Sequence, residues 1–111
     1  MCNYNIWFRD EKAGYVVECK HCNKMQLCFG NILINFRKKD LKNFCDYISD
    51  MQAQKNDCED RHTKSVVLAT PCVGISFILT VDELDGLCRM TDYVDTEMKT
   101  AAMIKMFAEE F

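Results

Sequence analysis

Cys19-Lys20-His21-Cys22 is the one segment of this chain whose residue types and spacing carry chemistry by themselves. Two thiolates three positions apart, across a tight connection, can grip one tetrahedral metal ion. The same pair, with a histidine between them to lower a thiol pKa, also resembles the motif of disulfide oxidoreductases. A full zinc site needs more ligands, and the sequence holds no second C-x2-C. Hairpin arithmetic supplies a third. With strands near Asn3–Phe8 and Tyr15–Cys19 and a turn centred between Glu11 and Lys12, Cys2 falls opposite His21, at the same end as Cys19 and Cys22. Cys28 lies six residues up the next strand, roughly 20 Å away, and drops out.

The metal reading is therefore Cys2, Cys19 and Cys22 around a structural zinc. The fourth position stays open among His21, Cys72, Cys58, His62 and water. No general base is identifiable near the motif, which speaks against a catalytic metal. The plainer alternative is a pair of ordinary reduced thiols at a turn. The redox alternative, a thiol-redox protein using Cys19 and Cys22, has the right chain length and a Thr70-Pro71 step like that of a thioredoxin. That fold needs a strand, a helix and a strand before its motif, however, and only eighteen residues precede Cys19.

Other chemistries find less support. A Cys–His nucleophile needs a histidine beside an activated thiol, but His21 is locked between two cysteines and His62 falls in a polar loop. Asp82-Glu83 and Glu109-Glu110 are explained by helix capping and solvation. Phe29-Gly30-Asn31 has a single glycine and cannot cradle a phosphate. Arg37-Lys38-Lys39 is a short basic run at a helix start. The expectation is a small interaction or regulatory module with a zinc-binding knuckle; no catalytic constellation is visible in the sequence.

The elements that position these residues follow from composition and periodicity. The 111 residues include 49% hydrophobic and 28% charged, the make-up of one globular domain spanning 1–111. Net charge is -3, which argues against a phosphate-tracking nucleic-acid binder. Eight cysteines in a short chain raise a secreted disulfide framework. Yet charged Arg9–Lys12 follows Met1–Trp7 with no apolar leader, and the apolar content is enough for a core without staples, so reduced cytoplasmic thiols are expected. Ser65–Val81 is uncharged for seventeen residues, but Pro71 and Gly74 interrupt it, and two buried strands explain it better than a membrane span.

Met25–Phe36 reads as a third, long strand with a bulge at Gly30-Asn31, followed by a cap at Asn35. Leu41, Phe44, Cys45 and Ile48 mark the buried face of a helix from about Arg37 to Met51. Gln52–Arg61 is the loop. Lys64–Ala69 and Val73–Leu79 form a hairpin, and Thr80 with Glu83 makes a capping box for a helix through about Thr91. Asp95 opens a last helix, rich in Met and Phe, whose apolar character extends over more than one face. That helix either covers the sheet or also docks a protein partner or second copy. Cys45 and Cys88 sit on apolar helix stripes as small hydrophobes. The whole predicts an α+β fold: an antiparallel sheet of about five strands with helices on one face, as a ββα pseudo-repeat plus a C-terminal helix.

Cys19-x-x-Cys22 followed by Gln26-Leu27, Phe29-Gly30-Asn31, Leu33 and Phe36 resembles a family of small single-domain proteins of unknown function. Its members carry a cysteine near the N-terminus, as Cys2 is here, and the resemblance spans nearly the whole chain. It implies no activity, and it supports Cys2, Cys19 and Cys22 acting together.

Overall fold

A computed structural model describes residues 3–55, 60–70 and 72–110. Four strands run as an antiparallel meander: β1 (Tyr4–Asp10), β2 (Gly14–Cys19), β3 (Lys24–Phe29) and β4 (Ile32–Arg37). Helix α1 (Lys38–Gln54) follows directly. A separate two-stranded sheet, β5 (Val66–Ala69) and β6 (Ser76–Leu79), then leads into helix α2 (Val81–Glu110). The α+β class stands. Among the described residues, six strands in two sheets stand in place of the single sheet of about five. The order of hairpin then helix occurs twice, as β3-β4-α1 and β5-β6-α2, with helices of 17 and 30 residues.

The extra strand arises at Gly30-Asn31, which is a hairpin turn and not a bulge: Phe29 pairs with Ile32 across it. Gly30 has φ +55 at the first central position, where a two-residue type II′ turn requires glycine. Strand alternation then sorts the residues. Val16, Leu27 and Ile34 stand side by side on the face toward the helices, and Val17, Gln26 and Asn35 on the other. Along the outer face, Tyr15 Oη donates to Gln26 Oε1 at 3.1 Å and Gln26 Nε2 donates to Asn35 Oδ1 at 3.1 Å. Gly14 has φ +141, and a Cβ there would sit 1.9 Å from the Cys28 carbonyl oxygen, so no side chain fits.

The core lies between the inner sheet face, the hairpin β5–β6 and the two helices. Val16, Met25, Leu27, Leu41, Cys45, Ile48, Val66, Leu68, Leu84, Leu87, Met90 and Val94 are all buried in it. The stripe read from the sequence therefore faces inward. Asn35 does not cap α1; it lies inside β4, and Arg37 occupies the N-cap without a side-chain bond because the strand runs straight into the helix. Three ties fix the layers. Glu18, buried beneath the sheet, accepts from Trp7 Nε1 at 2.9 Å and pairs with Lys38 Nζ at 3.3 Å. Tyr47 Oη on α1 accepts from the Ala69 amide at 3.0 Å. Arg61 pairs with Asp82 and Asp85 at the start of α2.

The predicted capping box is present: the Glu83 amide donates to Thr80 Oγ1 at 3.0 Å and the Thr80 amide to Glu83 Oε1 at 2.9 Å. The expected break before Asp95 is not. α2 continues through it because neither glycine nor proline interrupts 87–110, and exposed Asp92 and half-buried Asp95 each have a partner of their own. Asp92 accepts from the Cys88 thiol and Asp95 pairs with Lys99. No helix among the described residues is long and apolar enough to cross a membrane. The uncharged Ser65–Val81 stretch holds the β5–β6 hairpin instead.

Candidate functional sites: a cysteine turn and an open cleft

β1 and β2 pair as Tyr4 with Cys19, Asn5 with Glu18 and Ile6 with Val17, and the Lys20 amide donates to the Asn3 carbonyl at 2.8 Å. This is the register that the turn centred between Glu11 and Lys12 predicts at the open end of the hairpin. A bulge at Trp7 shifts the pairs nearer the turn by one, so that Phe8 meets Val16. Cys19, buried at 5% exposure, ends β2, and Cys22 is exposed in the turn beyond it. The turn closes through the Asn23 amide, which donates to the Cys19 carbonyl at 2.9 Å with Asn23 in the left-handed region at φ 57. Asparagine tolerates that conformation better than most residues.

Cys2 and Cys58 lie outside the described residues, as does Pro71. Among the described residues, no three His, Cys, Asp or Glu side chains stand together as a metal-holding group. His21 is exposed beside Cys22, and His62 Nδ1 faces Asp82 Oδ2 at 3.3 Å at the N-terminus of α2. Cys72 is exposed at the tip of the β5–β6 hairpin. Cys28 pairs with Tyr15 and Leu33 on the outer sheet face, away from the turn, as its sequence position required.

Cys45 and Cys88 are core residues. The Cys45 thiol donates to the Thr91 carbonyl, and its pKa is pushed up to about 12 by burial first and then by Asp95, Asp46 and Asp92. Burial and then Asp92 raise that of Cys88 to about 11. Both remain protonated thiols at neutral pH and are poor nucleophiles.

The second site had no motif to announce it. A cleft of about 670 Å³ runs between β4 with the start of α1 on one side and the β5–β6 hairpin on the other. Its walls include Ile34, Asn35, Phe36, Phe44, Ala69 and Phe77, with Lys24 and Arg37 at one end. A smaller hollow of about 240 Å³ lies between Ile32, at the other end of β4, and Ser76–Leu79 of β6. Consecutive residues line both, Ile34–Arg37 from β4 and Ser76–Leu79 from β6. Consecutive residues point to opposite sheet faces, so what borders each hollow is the strand's edge.

The edges are open among the described residues: β4 is bonded only to β3, and β6 only to β5. The hairpin register sets which groups are unused. Phe29 and Ile32 close a two-residue turn and exchange hydrogen bonds, and bonded pairs alternate from there. Leu33 and Asn35 therefore turn their backbone N–H and C=O toward the free edge. Sequence reasoning missed the cleft because it joined β3 and β4 into one strand, and edges exist only once topology is known.

The comparisons agree with the resemblance read from the motif. A model of the family of unknown function DUF6686 matches residues 1–108. The chain belongs to that family. No curated protein and no solved structure matches it.

Proposed function

We propose that this family member is a protein-interaction module that takes up an extended peptide segment along the β4 edge, beside β6. The supporting observation is that the free edge of β4 borders an apolar cleft whose far wall carries Phe77 of β6. An extended chain adds main-chain hydrogen bonds to such an edge and places alternate side chains in pockets, here Ile34, Phe36 and Phe77. Lys24 and Arg37 are register partners at the mouth, and they favour a segment with an acid at that end. Arg37 already holds Asp40 at 3.3 Å, which leaves Lys24 as the principal attraction.

Selection from a displayed peptide library tests this. Enriched sequences are expected to alternate apolar residues and to carry an acidic end. Asn35→Pro removes an N–H that β3 does not use, so it spares the sheet and abolishes capture. Lys24→Glu weakens capture roughly tenfold. Binding indifferent to Asn35→Pro overturns the reading.

The cysteine turn has a separate role in this proposal: Cys19 and Cys22, with Cys2, hold a structural zinc that ties the N-terminus to the meander. The register running on to Asn3 and Lys20 supports it, because Cys2 follows next in sequence. A reducing cytoplasmic setting suits such thiolates. Native mass spectrometry of protein purified in reducing buffer without added metal decides between the readings. One zinc per chain, lost in Cys19→Ser and Cys2→Ser, is expected. A metal-free mass that differs by two hydrogens between oxidised and reduced samples would replace the zinc with a redox pair.

A further inference from the structure

At about 1.5 Å per residue, α2 is roughly 45 Å long, while the molecule measures only 28 and 31 Å across its shorter axes. The helix overhangs the body, and residues 99–109 are all exposed. Met103, Ile104, Met106 and Phe107 there are 57, 64, 63 and 56% exposed. Together they present roughly 400–500 Å² of apolar surface, toward the upper end of what a soluble monomer exposes in one patch. Ala102, Met103, Met106 and Phe107 are three and four apart and share one helix face.

We propose that this projecting half of α2 pairs with the same segment of a second copy of the chain, in antiparallel orientation. Size and charge both select that arrangement. About a two-fold axis midway along the stripe, Met103 of each copy meets Met106 of the other, and small Ala102 meets large Phe107. The segment begins with Lys99 and ends with Glu109 and Glu110, so each basic end meets an acidic one. A parallel pair would set Lys99 against Lys99 and acid against acid, and would leave a gap at Ala102.

Lys99 is held 2.8 Å from Asp95 one turn earlier, and its ammonium retains donors for a further acid. Glu109 stands in a last turn with no basic residue, where the helix dipole opposes it, and a cation from the second copy answers that charge. The pair buries on the order of 1,000 Å² in total, at the low end for a specific interface, where weak and reversible association is expected.

Sedimentation equilibrium of the full chain in reducing buffer, from about 1 to several hundred μM, is the test. A monomer–dimer equilibrium is expected, and the Met103→Glu, Met106→Glu double variant should stay monomeric throughout. Lys99→Glu should weaken the dimer roughly tenfold. Adding Glu109→Lys and Glu110→Lys to it should restore association. All these positions are on the overhang, and an unchanged circular dichroism spectrum checks the fold. A wild type monomeric at every concentration overturns the proposal, as does a dimer that survives the double variant. A dimer indifferent to Lys99→Glu overturns the antiparallel arrangement, since a parallel pair merely exchanges one like-charge contact for another.

Discussion

The two halves of α2 are built from similar residues and placed in opposite circumstances. Residues 81–98 carry Leu84, Leu87, Cys88, Met90 and Val94 into the core, whereas 99–109 carry Met103, Ile104, Met106 and Phe107 into solvent. Helical spacing of apolar residues shows that a face will be covered. It does not show what covers it. In the inner half the sheet, the hairpin and α1 do so; in the outer half nothing in the described chain does, and the helix persists through strong formers such as Ala101, Ala102, Lys105 and Met106.

The contrast breaks first at the core. Leu87→Ala should cost about 3 kcal/mol in chemical denaturation, and Phe107→Ala, measured below 1 μM protein, at most about 0.5 kcal/mol. Equal losses would mean that the overhang packs against the body. Thiol chemistry draws the same line. With its pKa near 11, Cys88 on the inner half should resist iodoacetamide at pH 8 by roughly a hundredfold relative to exposed Cys72, as measured by peptide mapping.

Next comes the cap of the inner half, where Thr80→Ala should cost about 1 kcal/mol. A smaller effect is acid-sensitive. The Glu83 carboxyl is held below its ordinary 4.5 by the Lys64 ammonium, then by the Thr80 amide. Its stabilisation is complete above that ordinary value and fades as pH falls through the lowered native one. Glu83→Gln keeps the capping box, so it should lessen the loss of stability as pH falls below the ordinary carboxylate value while leaving the cap intact. The smallest effect is expected from truncation after Thr100, which should leave the dilute thermal midpoint within about 2 °C of the full chain.

What the sequence shows about this fold divides along the same boundary between local and distant causes. The open-end register of β1 and β2, the inward stripe Leu41–Cys45–Ile48 and the Thr80–Glu83 box were legible, because each is fixed by residues within a turn or hairpin of one another. The turn at Gly30-Asn31 was misread because apolar residues flank it on both sides and the change of phase looks like a bulge. Asp95 read as a helix start because aspartate so often caps; within a continuous helix it pairs with Lys99 instead. Of the candidate sites, the Cys19–Cys22 turn was evident from spacing. The cleft was not, since β4 and β6 are brought together only by the packing of two sheets.

The joint under the sheet offers a different kind of access to this molecule. The chain has a single tryptophan, and Trp7 donates to the buried Glu18 that also takes Lys38. One fluorophore thus sits where the first strand, its neighbour and the first helix converge. Its emission reports directly on whether that three-way lock is closed, so detachment of the N-terminal strand can be followed optically without any label, separately from the far end of the long helix.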